Sequence, residues 1–152
     1  MALKKEDFSF ITQALDNYTK LQELGRLPLN QNLKILGYFS IVEMLVTHKP
    51  KLKESIDSIS HQIATKYNLL LKKFERKVDF SEYFEAANSD KIWKKLYAYR
   101  SDVAHGNIAS FSGEYTILKS PDVVNAFLNE IIKNTILLAL DDPQFIFDLK
   151  QC

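Results

Sequence analysis

The sequence has few of the residues that build turns and only one that could form a disulfide. Its 152 residues include four glycines, four prolines and a single cysteine, Cys152, at the last position. So few turn residues argue against a fold made of many short strands. One cysteine cannot form an internal disulfide or a metal cluster, which suits a reducing cytosol. We therefore expect neither a disulfide scaffold nor a cysteine-based metal site.

A strong charge of one sign and a long hydrophobic run are also missing. The formal net charge is +1, with 46% hydrophobic and 26% charged residues, as in ordinary globular proteins. A near-neutral chain has no global electrostatic attraction for nucleic acid. The first residues, MALKKEDFSF, lack the apolar core of a signal peptide, and the run ILLAL is too short to span a membrane. We expect one soluble, cytoplasmic domain over residues 1–152.

Several motifs of catalysis and metal binding are absent from the sequence. It contains no glycine-rich phosphate loop, no CxxC pair and no HExxH helix. His48 and His61 have no carboxylate or second histidine at ligand spacing, so we interpret each as a surface or helix-end residue. No metal and no cofactor are expected.

Apolar residues recur at helical spacing along most of the chain. This periodicity predicts an all-α bundle of four to five main helices with a short C-terminal tail, DDPQFIFDLK, that folds back onto the core. The most apolar helix, the second, is expected at the centre. The predicted helices are Lys5–Leu24, Gln31–His48, Leu52–Phe74, a fourth that starts with Ser89 or Asp90 as its N-cap, and Asp122–Leu140, with a short helical piece in SEYFEAAN and a loop over Asn107–Ser120.

The stretch YAYRSDVAHGN, residues 97–107, brings an arginine, an aspartate and a histidine together at the end of the fourth helix. Gly106 is a natural C′ residue, so we expect His105 at the helix end. On a regular helix, Arg100 and His105 would point about 140° apart. They could converge only if the helix ends between them or if two copies of the motif meet across a two-fold axis.

The string LYAYRSDVAHG resembles the R-x4-H motif of the HEPN superfamily, especially its Apea-like branch of bacterial proteins. The resemblance extends to the apolar helix FSIVEMLVTH, which carries Glu43, and to the long helix after the motif. It implies an all-α bundle and, as in many HEPN proteins, a metal-independent endoribonuclease that works as a homodimer. Arg100 and His105 of two subunits would form the catalytic site, in a bacterial defence, stress or toxin context. The alternative is a noncatalytic HEPN domain that binds RNA, a nucleotide or a protein partner.

The two implied catalytic residues have suitable chemistry. Histidine titrates near neutrality and can transfer a proton to or from the 2′-hydroxyl and the leaving 5′-oxygen. Arginine stays charged and can bind two phosphate oxygens at once. The structural alternative is that Arg100 forms an ion pair within the bundle and His105 bonds to the backbone at the helix end.

Other residues around the motif are predicted to support the site or contact the substrate. Asp102 could orient Arg100 or His105, or be a solvated carboxylate at the helix end. Glu43 could pair with Arg100 or lie on a polar face near Ser40 and Thr47. The remaining candidates are Ser101 as a supporting residue and Tyr97, Tyr99, Lys95 and Asn107 as substrate-binding residues. The two tyrosines could stack on bases, with core packing as the alternative.

Overall fold

The computed structural model describes residues 5–24, 31–51, 57–85 and 88–152, and these form helices and connections without a strand. The prediction of an all-α bundle is confirmed. The α-helices are α1 (Ser9–Leu24), α2 (Gln31–Val46), α3 (Ile59–Lys73), α4 (Ser89–Ala104), α5 (Pro121–Asp141) and α6 (Pro143–Gln151). Short 3₁₀ helices lie at Lys5–Phe8, Phe80–Glu82 and Thr116–Leu118.

The helix α2 lies at the centre of the bundle, as its composition predicts. It packs against each of the other five α-helices, and most extensively against α5. Seven of its sixteen residues are buried, and at 100° per residue they cover about 160° of its circumference, wider than the apolar stripe of a typical surface helix. Gly37 lets α1 pack closely, because a Cβ atom at this position would lie 2.9 Å from a methyl carbon of Leu21.

An aromatic cluster fixes how α3, α4 and α5 pack together. The ring of Tyr67 on α3 stacks on Trp93 of α4, with 4.6 Å between the ring centroids. Phe127 of α5 contacts Trp93 at 5.6 Å and Phe80 at 5.0 Å. These four side chains are buried, so the first half of α4, which precedes the R-x4-H motif, is held firmly against the core.

Side-chain caps set where several helices begin. Ser58, Asn88, Ser120 and Asp142 each accept a hydrogen bond from a backbone N–H in the first turn of α3, α4, α5 and α6. The prediction that Ser89 or Asp90 caps the fourth helix is wrong by one residue, because the Asn88 side chain reaches the N–H of Lys91 at 3.1 Å.

Other helix boundaries also differ from those that the apolar periodicity predicted. The first helix begins as 3₁₀ over Lys5–Phe8, and the third begins at Ile59 rather than at Leu52. Residues 52–56 of that predicted helix lie outside the described residues, as do residues 86–87 of the segment SEYFEAAN. Of the described residues in that segment, only Ser81 and Glu82 are helical, in the single 3₁₀ turn Phe80–Glu82.

The C-terminal tail is a sixth helix, α6, that packs onto the core through Ile146 and Leu149. Its Lys150 Nζ donates to the carbonyl oxygens of Met44 and Thr47, each at 2.6 Å, at the C-terminal end of α2. Those carbonyls have no partner within the helix, so the lysine supplies one. The prediction that the tail folds back is therefore confirmed, with the tail helical rather than extended.

By length and composition alone, α5 could cross a membrane. Of its most apolar 18-residue window, 56% is buried inside the bundle. Core helices of soluble proteins pass the same test.

Candidate active site

The R-x4-H motif lies on the last turns of α4, and its glycine ends the helix. Gly106 has a φ of 73°, in the left-handed region, and its N–H donates to the carbonyl of Val103 at 3.2 Å. The N–H of Asn107 donates to the carbonyl of Asp102 at 2.8 Å. This pair of bonds is the Schellman motif, with His105 as the C-cap residue. The predicted position of His105 at the helix end is confirmed.

Arg100 lies on the side of α4 that faces α2, where it meets Glu43. Its Nη2 atom is 3.4 Å from Glu43 Oε1, and the two side chains are 30% and 25% exposed. The guanidinium also lies over the ring of Tyr97, 5.7 Å from the centroid, and that ring packs edge-on against Phe39. Of the two alternatives for Glu43, the structure has the ion pair with Arg100.

The ion pair is only partly compensated by hydrogen bonds. Among the described residues, Glu43 Oε1 and Arg100 Nε are buried atoms without a hydrogen-bond partner. Burial raises the pKa of Glu43, and the positive charge of Arg100 opposes that rise. Arg100 therefore favours the ionised form of Glu43, and Glu43 holds the guanidinium against α2 with its outer edge in solvent.

His105 is exposed at the end of α4, and its neighbours Asp102 and Asn107 bond to each other. Asn107 Nδ2 donates to Asp102 Oδ1 at 3.1 Å, in addition to the backbone bond between the same two residues. The Tyr115 hydroxyl donates to the other oxygen, Asp102 Oδ2, at 2.5 Å. These hydrogen bonds lower the pKa of Asp102, and the charge of His105 acts in the same direction. Asp102 is thus a hydrogen-bonded carboxylate rather than a freely solvated one.

Tyr115 is a residue that sequence reasoning missed. It follows the serine- and glycine-rich segment of the loop after α4, and it is only 1% exposed. Burial and the neighbouring Asp102 carboxylate raise the pKa of its phenol. The available signal was a pair of aromatic residues, Phe111 and Tyr115, in a segment rich in serine and glycine, because such rings usually find a place in the core.

The other predicted contacts are divided between the surface and the core. Lys95 lies beside Glu114, with 3.4 Å between Nζ and Oε1, and over the ring of Tyr115. Tyr99 is 1% exposed and donates its hydroxyl to Asn32 Oδ1 at 2.9 Å, so its ring is not open to a base in this conformation. Ser101 is half-buried, and its carbonyl accepts the N–H of His105 at 3.0 Å. Tyr97 and Asn107 remain accessible.

Arg100 and His105 of one chain point in different directions. The helix runs unbroken from Ser89 to Ala104, so the step of five positions from Arg100 to His105 advances about 500° and about 7.5 Å. The directions of the two side chains therefore differ by about 140°. Each side chain has its own acidic neighbour, Glu43 for Arg100 and Asp102 for His105.

A cavity of about 680 Å³ lies away from the motif, between the end of α3 and α5. Its lining includes Arg76, Glu130 and Lys133, and these charges pair with one another: Glu130 lies 3.6 Å from Arg76 and 3.8 Å from Lys133. In the part of the chain that is described, no group of three or more His, Cys, Asp or Glu side chains is placed to hold a metal ion.

His48 lies at the end of α2, as predicted for a helix-end residue, and it also meets a carboxylate that no local spacing indicated. It follows α2, and its Nε2 atom lies 3.1 Å from Asp57 Oδ1. Its Nδ1 atom lies 3.0 Å from the carbonyl oxygen of Lys150 and 3.4 Å from Lys66 Nζ. Asp57 is nine residues away along the chain, beyond the reach of a helical spacing, so the sequence pattern could not reveal the pair. The contacts join the end of α2 to α3 and α6.

The chain matches no protein-family model, no curated protein and no solved structure. What the structure establishes is therefore the all-α fold and the position of the R-x4-H pattern at the end of α4.

Proposed function

We propose that this protein is a HEPN-type, metal-independent endoribonuclease that acts as a cytoplasmic homodimer in a bacterial defence, stress or toxin system. The observation that carries the proposal is that Arg100 lies inside α4 while His105 is its C-cap residue, five positions further on, so helical geometry directs the two side chains apart. Because one chain directs them about 140° apart, a site that uses both groups needs a second copy. RNA is the proposed substrate, and the motif resemblance supports that choice.

The chemistry of the composite site follows from the two side chains. The exposed His105 imidazole of one copy either accepts the proton of the attacking 2′-hydroxyl or donates a proton to the leaving 5′-oxygen. Arg100 of the other copy binds the phosphoryl oxygens and stabilises the charge that develops there. Glu43 holds the guanidinium in place at 3.4 Å. Attack by the 2′-hydroxyl leaves a 2′,3′-cyclic phosphate on one product and a free 5′-hydroxyl on the other.

The first test is incubation of the pure protein with structured RNAs in EDTA, with analysis of the product ends. We expect cleavage with 2′,3′-cyclic phosphate ends, and no cleavage by Arg100→Ala or His105→Ala. Equal cleavage by the wild type and both variants would refute the assignment, because the activity would then belong to a contaminant or to other residues.

A mixing experiment tests the composite site directly. A heterodimer of Arg100→Ala and His105→Ala subunits retains one intact Arg100 and one intact His105, on different chains. If the site is shared, mixing the two inactive variants under conditions of subunit exchange restores part of the cleavage. If both groups act within one chain, the mixture stays inactive.

The second candidate is a noncatalytic domain that binds RNA, a nucleotide or a protein. The specific observation in its favour is the ion pair itself, since the contact with Glu43 gives Arg100 a structural role, joining α2 to α4, that requires no catalysis. The protein-partner version is favoured by Ile108, an apolar side chain that is 97% exposed beside the motif. Dimerisation without EDTA-resistant cleavage of any RNA would favour this candidate.

A further inference from the structure

The backbone that carries His105 is fixed from both sides. Asp102 and Asn107 bracket it in sequence and bond to each other twice, through the backbone at 2.8 Å and through their side chains at 3.1 Å. A closed loop of this kind leaves His105 at a defined position at the end of α4. Its geometry then depends on what holds Asp102.

The group that holds Asp102 is the hydroxyl of Tyr115. The ring of Tyr115 is buried, tilted against Tyr99 of α4 with 5.4 Å between centroids and against Phe111 at 6.1 Å. Those contacts fix the direction of its hydroxyl, which donates to Asp102 Oδ2. A hydrogen bond to a charged acceptor is stronger than one between neutral groups.

Lys95 attaches the loop that carries Glu114 and Tyr115 to α4. It lies seven residues before Asp102, which is two helical turns within about 20°, so both residues are on one side of α4. Lys95 Nζ lies 5.8 Å from the centroid of the Tyr115 ring and 3.4 Å from Glu114 Oε1. The charged groups around the Tyr115–Asp102 bond are therefore Lys95, Glu114 and His105.

We infer that Tyr115 is a positioning residue for His105, which it fixes through the Asp102 carboxylate and the Asn107 bonds. The role of His105 in cleavage rests on the proposed function, but the mechanical link between Tyr115 and the helix end does not. The inference predicts that the Tyr115 hydroxyl affects the turnover step and not the binding of RNA, because Tyr115 is buried and offers RNA almost no surface to contact.

The test is Tyr115→Phe, with Tyr67→Phe as the matched control. Tyr67 is also fully buried and donates or accepts one hydrogen bond, with Thr135 Oγ1 at 3.3 Å, far from the motif in sequence. Amide hydrogen exchange is measured at His105 and Asn107. We expect roughly tenfold faster exchange at these amides in Tyr115→Phe, as for the loss of one charge-assisted bond, with unchanged exchange in α5. Tyr67→Phe should leave the helix-end amides at the wild-type rate.

A double-mutant cycle with Asp102→Ala separates this route from a general loosening of the loop. If Tyr115 acts through Asp102, the effect of Tyr115→Phe on exchange disappears in the Asp102→Ala background. Wild-type exchange rates at the helix end of Tyr115→Phe, or an undiminished effect in the Asp102→Ala background, would overturn the inference.

Cleavage kinetics give the second measurement. We expect kcat of Tyr115→Phe to fall roughly tenfold with KM unchanged, the lower range for loss of an orienting partner. An equal loss through KM alone would contradict the positioning role. If the wild type shows no cleavage in EDTA, the proposed function fails, while the exchange experiment still decides whether Tyr115 fixes the end of α4.

Discussion

Replacing Arg100 by glutamine should destabilise the protein in a manner that depends on pH. The Arg100–Glu43 separation of 3.4 Å corresponds to an attraction of about 1 kcal/mol in water and about 5 kcal/mol at an effective dielectric constant near 20. Because a quarter to a third of each side chain is exposed, the net attraction between Arg100 and Glu43 should lie near the lower of these two energies. We expect Arg100→Gln to lower the free energy of unfolding by about 1–2 kcal/mol at pH 7.

The pH dependence follows from the direction of the Glu43 pKa. Burial raises this pKa, so ionised Glu43 lowers the stability of the folded state, and the stability present at low pH is lost as the pH rises through the folded pKa. Without Arg100 nothing opposes the rise. The difference between Arg100→Gln and the wild type should therefore be smallest near pH 4, where Glu43 is largely protonated in both, and largest at neutral pH.

Urea unfolding at several pH values measures this difference, with Glu43→Gln and the double variant completing a cycle. The double variant should recover much of the lost stability at pH 7, because it contains no ionised carboxylate to bury. An equal loss of stability at pH 4 and pH 7, or a double variant as unstable as the sum of the two single variants, would refute the reasoning. The result also shows how much of any lost cleavage in Arg100 variants comes from the fold.

Three further perturbations test other parts of the structure. Gly106→Ala should lower the free energy of unfolding in urea by about 1–2 kcal/mol, because a φ of 73° strains an L residue. The strain is in the backbone, since no atom lies within 4 Å of the added Cβ. A variant as stable as the wild type would show that the helix end rearranges freely. Ser120→Ala should lower the free energy of unfolding by about 1 kcal/mol, because it removes the side-chain oxygen that accepts the N–H of Val123 at 3.2 Å. Unchanged stability would show that water takes the place of this hydrogen bond. Ile108→Ser should leave the monomer's stability unchanged and weaken the proposed self-association in sedimentation velocity, because Ile108 is 97% exposed beside the motif, whereas unaltered association would place it outside the proposed dimer contact.

The sequence predicted most of the helices because their apolar residues recur at a local period. It also predicted the end of α4, since a glycine after a helical pattern is a local signal that needs no knowledge of the rest of the chain. The N-cap of α4 was missed by one residue because Asn88, Ser89 and Asp90 are all good caps. Which of the three acts depends on backbone geometry that periodicity does not determine.

Contacts between distant parts of the chain were beyond the reach of these local signals. Tyr115 bonds to Asp102, thirteen positions earlier in the chain, and His48 meets Asp57 and the carbonyl of Lys150. Each contact depends on how helices pack, and no spacing rule relates the partners. The sequence allowed two positions for Glu43, an ion pair with Arg100 or a place on a polar face near Ser40 and Thr47. The packing of α2 against α4 decided for the ion pair.

The two motif residues are held by separate parts of the fold, and this separation bears on how the site could work. Arg100 is fixed by α2 through Glu43, whereas His105 is fixed by the loop after α4 through Asp102 and Tyr115. A substitution in one support should therefore leave the other in place. In a composite site each copy would supply one well-positioned Arg100 and one well-positioned His105 to different partners. Loss of the loop support would then impair proton transfer while phosphate binding by Arg100 persists, so RNA affinity and turnover would respond to different variants.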